Sequence, residues 1–245
     1  MRHLGILAHS SEGAALCFLT FCREGFRELG AHQHPDVTMD CIAMGRSMPA
    51  WEAGEHQPVR ATLARSAERL ARAGAGFFVC PDNTAHLALE QPGDPLALPG
   101  LHIAEVVAAQ AARDGRTRVG VLGARYTMEG PVYPRVLAAH GIGAETPGPG
   151  DWLMLNKIIF DELVNGQFTV AGARVPSGLS HFVVVVPFPA VSVRSAGGCR
   201  QPAAPGAARL RESRSAPRPG ESGARVRGGR GAGSPILVSL GSWRT

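Results

Sequence analysis

Cys80 closes a short apolar run, Phe77-Phe-Val, and is followed by Pro81-Asp-Asn-Thr-Ala-His86. Asp82 or Asn83 is a good N-cap, and Leu87 and Leu89 continue an apolar pattern, so the spacing predicts a helix opening just after the cysteine. The free N–H groups of a helix start bind carboxylates and favour a thiolate over a thiol. A cysteine in that place can act as a general base or a nucleophile. Asn83 and Thr84 would add side-chain donors for an anionic substrate. A plainer reading makes Cys80 a small buried hydrophobe and Asn83 a cap. Spacing alone leaves both open.

The elements around Cys80 must position it. Residues 3–8 read as a buried strand, followed by a helical pattern through Leu29, and Val37 to Met44 reads as a second strand. Val59 to Arg72 has helical spacing, with Leu63, Ala67 and Leu70 on one face and Arg60, Arg65, Glu68 and Arg69 outside. Residues 76–80 form the short strand that ends at Cys80. Alternation continues with a helix near 103–113, a strand over 118–122, and helices over 131–140 and 151–165. His181 to Val186 reads as a last strand. Strands alternating with helices of ten or more residues predict an α/β fold built from parallel βαβ units. Such sheets place their sites at the C-terminal ends of strands.

The 245 residues carry 25 Lys+Arg against 20 Asp+Glu, a formal net charge of +5. That balance invites a nucleic-acid reading until the charges are located. Nine arginines and two glutamates lie between Arg194 and Ser234, which leaves 16 basic and 18 acidic residues elsewhere. In that stretch 35 of 41 residues are Gly, Ala, Arg, Pro or Ser, too few apolar side chains to offset the entropy of ordering them. The expected organisation is residues 1–100 as a first lobe with Cys80, 101–190 as a second, and 191–245 as a disordered tail. The tail has no interleaved aromatics, so no nucleic-acid partner is expected. The five cysteines form no C-x-x-C pair, which favours reduced thiols and a cytoplasmic location. His9, Ser10, Ser11 and Glu12 interrupt the early apolar stretch, against a secretory signal, and no window is long enough for a membrane span.

The run Gly76-Phe-Phe-Val-Cys-Pro-Asp-Asn-Thr-Ala-His86 resembles the first-cysteine motif of the aspartate/glutamate racemase family. Gly5-Ile-Leu-Ala-His-Ser-Ser-Glu12 resembles that family's first strand and substrate loop. Gly123-Ala-Arg-Tyr-Thr-Met-Glu-Gly130 resembles its second-lobe strand and loop, and Asn156 to Leu163 the helix before its second active-site strand. The similarity covers roughly residues 1–169. It implies two pseudo-symmetric lobes, each a parallel sheet flanked by helices, with the site in the cleft between them. It also implies racemisation of an amino acid or dicarboxylate by moving the α-proton, without pyridoxal phosphate, any other cofactor or metal. Cys80 would be one acid/base; Asn83 and Thr84 would bind the substrate carboxylate, Thr127 would donate to it from the second lobe, and Ser10 would touch the ligand. Relatives in the superfamily racemise hydantoins, isomerise maleate or decarboxylate arylmalonates. Racemases of this type are often dimers, which makes a homodimer an expectation.

The sequence departs from the family in one respect. The family places a second cysteine after a late apolar strand, typically in Gly-Cys-Thr-Glu. Here Val183–Val186 runs into Pro187-Phe-Pro189, and Cys199, in the arginine-rich segment, is the only cysteine beyond Cys80. The expectation is therefore an amino-acid racemase that loss of its second catalytic cysteine could impair, with an inactive carboxylate-binding remnant, or a superfamily relative such as a hydantoin racemase or maleate isomerase, as the alternative. Lys157 is the sole lysine against 24 arginines, as GC-rich coding DNA produces. A frameshift shortly after Phe168 would account for the change of character.

Overall fold

The computed structural model describes residues 2–162 and the backbone of the strand Phe182–Val184. In chain order the elements are β1 (Leu4–Ala8), α1 (Ser11–Leu29), β2 (Val37–Cys41), α2 (Met48–Glu52), α3 (His56–Arg72), β3 (Phe77–Val79), α4 (Ala85–Leu89) and β4 (Gly100–Leu101). They continue with α5 (Ile103–Arg113), β5 (Arg118–Leu122), α6 (Arg125–Glu129), α7 (Val132–Ala139), β6 (Gly143–Glu145), α8 (Pro149–Lys157) and β7 (Phe182–Val184). A 3-10 turn spans Met44–Arg46, and a π-helical turn, Ile158–Glu162, follows α8.

The strands form two parallel sheets, one in the order β2-β1-β3-β4 and one in the order β6-β5-β7. Each sheet places its first strand in the middle. β1 is buried along its whole length, which is why it reads as a continuous apolar run rather than an alternating one. On one face of the first sheet α1 packs Ala14 and Cys17 against Leu4, Ile6 and Ala8. On the other, α3 packs Val59, Leu63, Ala67 and Leu70 with Leu7, Phe78 and Cys80. Gly5 permits this approach: a Cβ there would lie 3.1 Å from Leu70 Cδ1 and 3.2 Å from the Phe77 carbonyl. The second core joins α5 (Val107, Ala111) and α7 (Tyr133, Val136, Leu137) to β5 (Val119, Val121).

The expected α/β two-lobed architecture is thus observed, with local differences. β2 ends at Cys41 rather than Met44. The helix after Cys80 opens only at Ala85 and has five residues, because Asp82 Oδ1 accepts the N–H groups of Thr84 (3.0 Å) and Ala85 (3.3 Å) and holds the preceding residues in a turn. The helix expected over 151–165 begins at Pro149 and changes to π geometry at Ile158. The expected last strand is present as β7, paired with β5 in parallel register. The expected tail, Cys199 and the frameshift lie outside the described residues.

Candidate active site

β1 and β3 are parallel neighbours with Ile6 beside Val79. Continuing that register puts Leu7 beside Cys80 and His9 beside Asp82, so two loops leave the sheet at one end. Side chains alternate along a strand, so Cys80 and Asp82 share a face, as do Leu7 and His9. His9 Nδ1 and Asp82 Oδ2 are 2.8 Å apart in a buried pair. A carboxylate accepts, so Nδ1 carries the hydrogen of this bond. The ring's other nitrogen, Nε2, is buried and has no hydrogen-bond partner among the described residues.

This arrangement sets the charge states. Burial alone would raise the Asp82 carboxyl, but His9 and the Ala85 amide hold it below the ordinary value. Cys80 is 2% exposed. Burial first, then the Asp82 charge, push its thiol well above the usual range, and the Asp82 backbone N–H offsets this only in part. The expectation that a helix start favours the thiolate is therefore corrected. The helix is short and begins five residues on, while the nearest charge is a carboxylate.

His86, the second residue of α4, is buried. Its Nε2 donates to the Cys80 carbonyl at 3.1 Å, and its ring packs edge-on against His102 with centroids 4.5 Å apart. Burial, then the neighbouring His102, lower it from 6.5 to about 4.

The second lobe reaches the same place through helices. Tyr133 on α7 is fully buried, and its hydroxyl donates to Asn83 Oδ1 at 2.7 Å. Burial pushes its phenol far up, so it stays a donor. That bond fixes which end of the Asn83 amide is the donor. Thr127 on α6 is 6% exposed, and its buried Oγ1 has no partner among the described residues. Its seat depends on Gly123, where a Cβ would stand 3.0 Å from Thr127 Cβ. The adjacent Tyr126 packs on Trp51 of α2, with centroids 6.1 Å apart, and Trp51 lies 6.1 Å from the His9 ring. Arg135 on α7 reaches Glu90 at 2.6 Å, and Glu90 also meets His102 at 2.8 Å.

Of the expected site residues, Cys80, Asn83 and Thr84 lie on one loop. Ser10 is half-buried at the adjoining strand end, where it N-caps α1 through its backbone without a side-chain cap bond. Thr127 lies on the second lobe beside the Tyr126–Trp51 contact. Sequence reasoning missed His9, Tyr133 and Trp51 as parts of the site, and took Asp82 only as a cap. His9 could have been flagged by the strand-end rule.

This is a two-lobed parallel α/β chain with a buried cysteine at a strand end, and its residues 16–175 match the model of the Asp/Glu/hydantoin racemase family. The chain belongs to that family. Within it, the chain is similar to the broad specificity amino-acid racemase RacX of Bacillus subtilis (strain 168), with 30% identity over 87 residues. That alignment covers 36% of this chain and 38% of the relative. A crystal structure assigned to the Asp/Glu racemases, from Yersinia pestis, matches with a TM-score of 0.65 and 28% identity, over 74% of this chain and 84% of that one. The fold also resembles an aspartate racemase homologue from Pyrococcus horikoshii OT3, with TM-score 0.57 and 24% identity over 68% and 74% of the two chains. Among the described residues of this family member, no helix is long and apolar enough to cross a membrane.

Proposed function

We propose that the chain is an isomerase of the cofactor-independent amino-acid racemase type, with Cys80 as the group that moves the α-proton. The single observation that carries this reading is buried Cys80 at the end of β3, with Asn83 on the same loop bonded to Tyr133 of the second lobe, and a Thr127 hydroxyl there that has no partner among the described residues. An α-hydrogen is weakly acidic, so its base must be close, oriented and shielded from water. Asn83, Thr84, Thr127 and Ser10 supply donors for the carboxylate of an amino acid or dicarboxylate, and those donors stabilise the charge that develops there. The described cysteines are free thiols, in keeping with a reducing, cytoplasmic setting.

A specific observation favours a one-sided version of this chemistry. β7 pairs with β5 as β3 pairs with β1. The sequence from Phe182 to Pro187 is Phe-Val-Val-Val-Val-Pro, with no proton-donating side chain. The decisive experiment is solvent-deuterium exchange at the α-carbon, followed by mass spectrometry for each enantiomer of a panel of amino acids. Exchange of one enantiomer with little racemisation is the expected result, and Cys80→Ala should abolish it while preserving the circular-dichroism spectrum. Full racemisation would show a second acid/base in the chain. Absence of exchange with every amino acid tested would leave the carboxylate-binding remnant as the reading.

A further inference from the structure

The loop after Cys80 carries an amide whose orientation is set from the other lobe. We propose that Tyr133 is a positioning residue for the carboxylate subsite: by holding Asn83 Oδ1 it leaves the amide nitrogen as the end that meets a ligand, so the site selects a carboxylate over a neutral carboxamide. This rests on the racemase reading and deepens it.

The backbone of this loop is fixed by its own bonds. Asp82 Oδ1 accepts the Thr84 and Ala85 amides, and the Asn83 carbonyl accepts the His86 amide at 3.2 Å. Those bonds do not set the last torsion of the Asn83 side chain. That torsion is roughly two-fold, and a half-turn exchanges oxygen and nitrogen at little steric cost.

Tyr133 decides between the two states. Its ring is fully buried in the core that holds Val107, Ala111, Val136 and Leu137, so its hydroxyl stands on packed helices rather than on a loop. Burial keeps the phenol protonated, and a buried O–H left without an acceptor is costly. Its acceptor, at 2.7 Å, is Asn83 Oδ1. A turned amide would present nitrogen there instead, and the hydroxyl hydrogen would lose this acceptor.

The consequence is a choice of ligand. With Oδ1 held, the other end of the amide is nitrogen, which donates and does not accept. A carboxylate only accepts, so it suits this nitrogen. A carboxamide brings an NH2 group of its own, and donor then meets donor. A site built to hydrogen-bond one group rejects the analogue that leaves a buried polar atom unpaired. Without the tyrosine hydroxyl the amide is free to turn and to pair with either ligand.

The test compares the full chain with Tyr133→Phe. The probes are matched pairs: glutamate with isoglutamine, its α-carboxamide, and alanine with alaninamide, each as both enantiomers. For every probe kcat and KM are measured for solvent-deuterium exchange, and an apparent Kd is taken from thermal-shift titration. Dividing the variant's carboxylate-to-carboxamide ratio of kcat/KM by the parent's cancels the unequal acidity of the α-hydrogens. The expected result is a ratio lowered about tenfold, carried by a higher KM for the carboxylate. A ratio within about twofold of the parent's, whatever the loss of stability, marks a merely structural tyrosine and overturns the proposal. If Tyr133→Phe does not fold, the unmodified protein decides. It should bind glutamate about tenfold more tightly than isoglutamine, and affinities within about twofold overturn the proposal. If that preference is present but no probe exchanges, the racemase reading fails alone. Binding of no probe overturns both.

Discussion

The two lobes share a topology but end their strands in opposite materials. In the first, β1 ends in His9-Ser10 and β3 in Cys80-Pro-Asp-Asn-Thr, so polar side chains converge where the sheet stops. In the second, β5 ends in Gly123-Ala124 and the sequence after β7 continues Val185-Val-Pro. The second lobe contributes through helices instead: Thr127 from α6 and Tyr133 from α7. Parallel βαβ architecture therefore guarantees a place for chemistry at strand ends without guaranteeing that both lobes fill it. Under the proposed function the first lobe would hold the proton-moving Cys80, and the second would supply donors from its helices.

That contrast can be challenged where it is largest. Trp51 is 4% exposed and contacts His9 and Tyr126, whereas Leu153 on α8 is 80% exposed. Trp51→Ala should cost about 3–5 kcal/mol in a denaturant titration, and Leu153→Ala less than about 0.5. Comparable losses would mean that the outer helix of the second lobe is packed as tightly as the cleft.

Acid sensitivity should also trace to the first lobe. Burial and His102 lower His86 from 6.5 to about 4. Between those pH values the unfolded chain binds a proton that the folded chain refuses, so stability falls as pH drops through that window. The loss approaches about 3 kcal/mol below it. His86→Gln can still donate to the Cys80 carbonyl and should flatten this slope in urea unfolding measured across the window. An unchanged slope would assign the sensitivity elsewhere.

Two changes in the second lobe should part company. Tyr133→Phe removes the buried donor to Asn83 Oδ1 and should cost about 1–3 kcal/mol of thermal or chemical stability. Thr127→Val removes a hydroxyl that has no partner within the described residues. Stability should change by less than about 0.5 kcal/mol, while KM for exchange rises about tenfold, equivalent to about 1.4 kcal/mol. A large destabilisation by Thr127→Val would show that the hydroxyl serves the fold rather than a ligand.

Legibility followed burial. β1 and β5 are central strands packed on both faces, so each shows as an unbroken apolar run. α5 was readable to the residue because four residues, Ala104, Val107, Ala108 and Ala111, repeat on one face. β4 and β6 are edge strands of two and three residues, and α2 and α6 have five, too short for any period to show. Cys80, Asn83 and Thr84 were visible because the motif is contiguous. His9 and Tyr133 were not, since their partners lie 73 and 50 residues away. Only folding brings His9 to Asp82 and Tyr133 to Asn83. The delayed start of α4 came from Asp82 choosing its own loop amides, a local competition that propensity does not rank.

The roof over Cys80 also sets a clock. Cys80 is 2% exposed, so under the proposed function its thiol would meet a substrate only after a local opening, and Tyr133–Asn83 and Trp51–Tyr126 join the lobes nearby. These two contacts and the Arg135–Glu90 pair are the ones that an opening between the lobes would break. That pair sits near the surface and is screened by salt, so added salt loosens one of the three ties and leaves the proton chemistry beneath it unaltered. Under the proposed function, turnover would be timed by how often the lobes part as well as by how readily a proton moves.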